Sequence, residues 1–122
     1  MADKKKLLIV EDDAPHLQVL SRKAADDGYD VILAHNGEEG FKLAESIKPD
    51  VMITDIIMPV MDGLTMLAKI RQTEWGKNLP VIMLTNLNGE EQSKQAEDLG
   101  VQKFLVKSDV SLEQVMQEVA RA

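Results

Sequence analysis

The sequence predicts an α/β domain in which one parallel sheet carries helices on both faces. Two observations carry that reading. Short apolar runs alternate with helix-like segments five times along the chain, the pattern of a parallel sheet wound with helices. Four of the runs also stop abruptly on a charged or hydroxylated residue. Leu7-Leu8-Ile9-Val10 meets Glu11-Asp12-Asp13, Val51-Met52-Ile53-Thr54 meets Asp55, Val81 to Leu84 meets Thr85, and Phe104-Leu105-Val106 meets Lys107. Parallel strands present their carboxyl ends along one edge, so Glu11, Asp12, Asp55, Thr85 and Lys107 should converge although they are far apart in the chain. Carboxylates gathered with one lysine suit a divalent cation and a phosphoryl group.

The elements follow in order. After the first strand, Ala14-Pro15 can start a helix, because proline suits the first helical position; Leu17, Leu20 and Ala24 share one face before Gly28 stops it. Tyr29 to Ala34 is the second strand. Asn36 with Glu39 resembles a capping box and opens a helix whose inward stripe is Phe41, Ala44 and Ile47, ended by Lys48-Pro49. The third strand is Val51 to Asp55. Met58-Pro59-Val60-Met61-Asp62-Gly63 is turn-rich, and Leu64, Leu67, Ala68 and Ile70 give the next helix its apolar face. Leu79-Pro80 leads into the fourth strand.

The helix from about Glu90 to Leu99 has few apolar residues, chiefly Ala96 and Leu99, so weak docking is expected. Gly100 closes it, and Lys103 to Lys107 is the fifth strand. Ser111 with Gln114 caps a last helix carrying Leu112, Val115, Met116 and Val119.

Composition excludes several function classes. The chain has 122 residues, the size of one ordinary domain, so residues 1–122 are expected to form a single unit with no second module. Cysteine is absent, which removes disulfides and thiolate metal sites. Met1 to Lys6 lacks the apolar stretch of a secretory signal, and no apolar run approaches the roughly 20 residues of a membrane span, so a cytoplasmic location without membrane contact is expected. A net charge of -7 opposes nonspecific attraction to nucleic acid. His16, His35 and Trp75 read as surface or loop residues, Asp13 as a helix N-terminal acid, and the methionines as core filler.

Taken together, Leu8-Ile9-Val10-Glu11-Asp12-Asp13, Asp55-Ile56-Ile57-Met58-Pro59 with Met61-Asp62-Gly63, Leu84-Thr85 and Phe104-Leu105-Val106-Lys107 resemble, over essentially the whole chain, the response regulator receiver domains of two-component signalling, chemotaxis-regulator-like forms included. The resemblance implies a flavodoxin-like, doubly wound five-stranded parallel sheet of order 2-1-3-4-5 with five helices. It implies that Asp55 is the nucleophile that takes a phosphoryl group from a phosphohistidine, and that Glu11, Asp12, Asp55 and the Ile57 carbonyl hold Mg²⁺. Lys107 and Thr85 would contact the phosphoryl group. Thr85 and Phe104 would form the conformational switch that biases the weakly docked helix.

The same resemblance implies a histidine kinase or histidine phosphotransfer protein as donor and an unidentified downstream protein as target. It implies no enzymatic activity beyond the domain's own phosphotransfer and self-dephosphorylation. Apolar Ile57 and Leu87, two residues after Asp55 and Thr85, lack a group to orient water, so that hydrolysis is expected to be slow. A monomer is expected, with dimerisation through the last helix and strand open.

Two positions depart from the family pattern. Ser108 stands where a cis-proline is usual, so a trans peptide and a rearranged loop are expected. Asn86 stands where a small residue is usual, which keeps open a pseudo-receiver that only binds partners. A phosphatase with an aspartyl nucleophile would want a second acid at Ile57. A flavin-binding domain of this topology would need a phosphate-cradling loop where Glu11-Asp12-Asp13 would repel phosphate.

Overall fold

Unbroken apolar strands can be buried on both faces, and this chain places five of them side by side. A computed structural model describes residues 4–122; residues 1–3, part of the lead-in read above, lie outside the described residues. The strands are β1 (Lys6–Val10), β2 (Asp30–Ala34), β3 (Val51–Thr54), β4 (Val81–Thr85) and β5 (Lys103–Val106). The helices are α1 (Ala14–Asp26), α2 (Gly37–Ile47), α3 (Gly63–Arg71), α4 (Glu90–Asp98) and α5 (Leu112–Ala120). The sheet order is β2-β1-β3-β4-β5, every pair parallel, which is the expected flavodoxin-like topology.

Strand alternation divides the core into two layers. Leu8, Val10, Met52, Val81 and Met83 face α2, α3 and α4 through Ala44, Met66, Leu67, Ile70 and Ala96. Leu7, Ile9, Val51, Ile53, Ile82 and Leu84 face α1 and α5 through Leu17, Leu20, Ala24, Val115, Met116 and Val119. Burying each large side chain contributes about 1.5–3 kcal/mol, so the three central strands anchor the molecule while β2 and β5, half-buried, form its edges.

Several elements differ from the sequence reading. The buried face of α3 is Gly63, Met66, Leu67 and Ile70, with Leu64 and Ala68 only half-buried; the helix starts at Gly63, and that phase turns Met66 inward. The α2 cap is half a box. Asn36 Oδ1 accepts from the Glu39 N–H at 2.9 Å, but the Glu39 carboxylate accepts from the His35 N–H at 3.2 Å instead of returning to Asn36. Ser111 and Gln114 complete the reciprocal box of α5, at 3.1 and 2.8 Å.

Lys107 is not the last residue of β5 but the first of a 3-10 turn, Lys107–Asp109. No cis peptide occurs among the described residues, so the bond before Ser108 is trans, as expected. Trp75 is a half-buried loop anchor, its ring 5.9 Å from that of Phe41 and 5.7 Å from Lys48 Nζ. Val60 has φ 70 in a three-residue turn closed by the Met61 N–H on the Pro59 carbonyl at 2.7 Å, a strained conformation for a β-branched residue. No helix among the described residues is long and apolar enough to cross a membrane.

Candidate functional site

Register brings the strand ends together. Val10 lies opposite Thr54, Thr54 opposite Met83, and Thr85 opposite Val106. Glu11 and Asp55 therefore emerge level from adjacent strands, with Thr85 one step and Lys107 two steps further along the same edge. Backbone bonds extend this order one residue beyond the strands: the Glu11 N–H donates to Ala34 O at 3.0 Å and the Asp55 N–H to Val10 O at 3.1 Å. The start of α3 is pinned to the same place. The Gly63 N–H donates to Ile56 O at 2.8 Å, and a Cβ at Gly63 would lie only 1.9 Å from the Asp55 carbonyl oxygen. Glycine is required there by close approach, not by backbone angle.

Lys107 joins the two buried acids. Its Nζ donates to Asp55 Oδ2 at 2.7 Å and also to Glu11 Oε1. Asp55, 8% exposed, uses its other oxygen to accept from the Ile56 N–H at 2.6 Å. Glu11, 2% exposed, accepts additionally from the Asp13 N–H at 3.3 Å and bonds His16 Nδ1 at 2.7 Å. Burial alone would raise the Glu11 carboxyl, but the hydrogen bonds from His16 and Lys107, the lysine charge and the Asp13 N–H outweigh it and lower the group from 4.5 to about 2. Desolvation pulls Lys107 down, and its bonds to Asp55 and Glu11 more than reverse that, so its ammonium is held above the ordinary lysine value. Asp12 stands exposed at the rim and is raised, by desolvation first and then by the charges of Glu11 and Asp55.

The acids form a compact oxygen cluster: one carboxylate oxygen each from Glu11, Asp12 and Asp55 lies within 4.8 Å of the others. Opposite ligands of one Mg²⁺ are about 4.1 Å apart, from bonds of about 2.0–2.1 Å. Three hard anionic donors at that spacing fit such a cation, with small side-chain adjustments or a water taking up the difference. Ile57 could contribute only through its main chain, since its side chain is apolar and 61% exposed.

Thr85 is buried, and its Oγ1 accepts from the Leu87 N–H at 3.2 Å, so the hydroxyl now holds the loop after β4. Phe104 lies two residues before Val106, the partner of Thr85, and so on the same face of the sheet, half-buried against the α2–α4 layer. Asn86 is exposed, while Leu87 packs against that same core layer. Asp13 takes the N-cap position of α1 without a side-chain cap bond.

His16 is the residue that sequence reasoning missed. Read as a surface residue, it is half-buried against Glu11. The available signal was its place in the first turn of a helix following the acid pair, where side chains lean back toward the helix N-terminus and hence toward the strand end. His35, exposed and bonded to Glu39, lies in a different loop.

Comparison with known proteins agrees with this architecture. The family model described as response regulator receiver domain matches residues 7–120. The alkaline phosphatase synthesis transcriptional regulatory protein PhoP of Bacillus subtilis is 34% identical over 103 residues, covering 84% of this chain and 42% of that protein. Response regulator MprA of Mycobacterium ulcerans is 33% identical, with 84% of this chain and 43% of that protein covered. The chain thus spans less than half the length of these curated relatives. Among solved structures, chemotaxis response regulator CheY4 of Vibrio cholerae superposes with a TM-score of 0.89 at 30% identity, covering 98% of both chains. The CheX-CheY-BeF3-Mg+2 complex of Borrelia burgdorferi superposes with a TM-score of 0.86 at 32% identity, covering 96% of this chain and 87% of that one.

Proposed function

The chain belongs to the response regulator receiver domain family of two-component signalling, and from that premise we propose that it is a phosphoacceptor that takes a phosphoryl group onto Asp55. The observation that carries this reading is the single ammonium of Lys107 bonded to both Asp55 and Glu11, with Asp12 beside them. A half-buried lysine shared by two acids leaves the carboxylate cluster negative overall, which suits a divalent cation, and supplies a movable positive charge for an arriving phosphoryl oxygen.

In this scheme an Asp55 carboxylate oxygen attacks the phosphorus of a phosphohistidine. A P–O bond forms, the P–N bond breaks, and the imidazole leaves, taking a proton from water. Glu11, Asp12, Asp55 and the Ile57 carbonyl would hold Mg²⁺, which would supply the charge neutralisation that two approaching anions need. Lys107 releases Glu11 and follows the phosphoryl oxygen. Thr85 turns its hydroxyl from the Leu87 N–H to the same group, and Phe104 moves into the space vacated on its face of the sheet. The exposed Ile57 side chain and apolar Leu87 offer no group to activate water, so the acyl phosphate hydrolyses slowly. The donor is a histidine kinase or histidine phosphotransfer protein, the output is binding to a protein target, and the setting is cytoplasmic. A role in partner binding alone would leave the half-buried Lys107 bridge with only a stabilising part to play.

The test is incubation with Mg²⁺ and a small phosphodonor followed by mass spectrometry of the intact protein. One added phosphoryl group is expected, and Asp55→Asn should abolish it. No adduct on the parent protein, or an undiminished adduct on Asp55→Asn, would reject the assignment.

A further inference from the structure

We propose that His16 is a positioning residue of the phosphoacceptor centre, holding the buried Glu11 carboxylate so that Lys107 can leave it. This inference rests on the phosphoacceptor reading above and extends it to a residue outside the acid cluster. Glu11 Oε1 faces two nitrogen donors, Lys107 Nζ and His16 Nδ1, the latter at 2.7 Å. A carboxylate can only accept, so the proton of that bond is on Nδ1 and the ring donates, whatever the state of its other nitrogen. The remaining bond to Glu11 is the longer one from the Asp13 N–H, at 3.3 Å on Oε2.

The consequence lies in what happens when Lys107 moves. Lys107 is shared between Glu11 and Asp55, and phosphotransfer requires it to follow the phosphoryl oxygen. Glu11 is 2% exposed and has little water to replace a lost donor, and a buried carboxylate stripped of its donors is costly. His16 stays on Oε1 throughout, because α1 holds it there independently of Lys107. Without that bond, Glu11 would keep only the longer Asp13 N–H bond and the cation beside Lys107, would hold the lysine more strongly, and the lysine would be less available to the reaction. The ring's role is to keep one donor on Glu11 at the moment the other departs.

Two substitutions separate donor from bulk. His16→Phe keeps an aromatic ring and removes the donor; His16→Asn keeps a donor near the Nδ1 position and removes the ring. At saturating Mg²⁺, His16→Phe should slow Asp55 phosphorylation by the small phosphodonor about tenfold, the scale of one hydrogen bond to a charged group, whereas His16→Asn should stay within about twofold of the parent. A structural role for the ring would instead leave His16→Asn as slow as His16→Phe. Thermal melts establish that each variant folds, and His16→Leu replaces His16→Phe should the latter not fold.

A donor-free variant as fast as the parent, or His16→Asn as slow as His16→Phe, would overturn the proposal. Failure of the parent protein itself to become phosphorylated rejects the underlying reading instead, and the two outcomes are distinct.

Discussion

Helices α3 and α4 are both nine residues long and lie on the same side of the sheet, yet they are held in opposite ways. α3 buries Gly63, Met66, Leu67 and Ile70, is capped by Asp62 Oδ1 on the Thr65 N–H at 2.8 Å, and begins against the Asp55 backbone. α4 buries only Ala96 and starts at Gly89 without a side-chain cap. Its firm attachment is at the far end, where Arg71 Nε donates to Leu99 O at 2.7 Å and Nη2 to Gly100 O at 3.2 Å. The same guanidinium donates through Nη1 to Gly76 O and Leu79 O, both at 2.8 Å, and burial lowers its pKa. The difference teaches where rigidity and movement are divided. The nucleophile side is fastened by packing, and α4 is tied at its C-terminal end and loose at the end that faces the site.

Core truncation should expose the contrast most strongly. Ile70→Ala is expected to cost about 2–5 kcal/mol, read by urea denaturation, whereas Glu91→Ala on α4 should stay within about 0.5 kcal/mol. Equal losses would erase the distinction between the two helices. Next in size is Arg71→Ala, which strips donors from four carbonyls at about 1–3 kcal/mol in all, the scale of leaving partly buried acceptors unpaired. Its signature is local: hydrogen exchange should accelerate across α4 well before α3. Arg71→Lys should not rescue it, because one ammonium cannot reproduce a planar fork.

What could be read before any coordinates follows the same division between local and non-local information. Strand runs announce themselves by unbroken apolarity, and parallel topology converts their ends into a shared edge. Glu11, Asp12, Asp55, Thr85 and Lys107 could therefore be gathered from sequence without knowing a single contact. The sparse apolarity of α4 is equally local, and its single buried residue agrees with it. Phase was harder. Between Leu64 and Ile70 apolar residues are so dense that two faces are nearly equivalent, and only the docking of Gly63 selects the one that buries Met66. His16 was harder to read for a related reason: its contact depends on how the first turn of α1 leans over Glu11, and only its place in that turn hints at it. Glu39 likewise had two partners within reach, and chain geometry favours His35 over the Asn36 backbone.

Titration of the metal-free protein sharpens the account of the fastened side. Glu11 is lowered in the fold, from 4.5 to about 2, so its contribution is fully present above pH 4.5 and is lost as pH falls toward 2. Asp12 acts in the opposite sense: its raised pKa makes the charged form a liability that appears as pH rises above 3.8. Lys107, raised, contributes below 10.5 and ceases to as pH climbs through its higher folded value. Melting temperature should therefore fall steeply between pH 4.5 and 2, and Glu11→Gln should flatten that limb while leaving the alkaline limb less changed. An unaltered acid limb in Glu11→Gln would mean that the bonds to His16 and Lys107 do not govern stability there.

The smallest expected effect probes the acid edge by ligand. Three carboxylates within 4.8 Å repel one another, and a cation bound only by the fold stabilises it by mass action, by about 1.4 kcal/mol at ten times the dissociation constant. Millimolar Mg²⁺ should raise the melting temperature by a few degrees, and Asp12→Ala should remove the response, since Asp12 is the member of the cluster without a lysine partner. The shift should be accompanied by slower hydrogen exchange at the β1 and β3 ends and little change at the N-terminal end of α4. Protection spreading into α4 on Mg²⁺ alone would show that the loose helix already senses the acid edge before any phosphoryl group arrives, and the division drawn between α3 and α4 would then have to be abandoned.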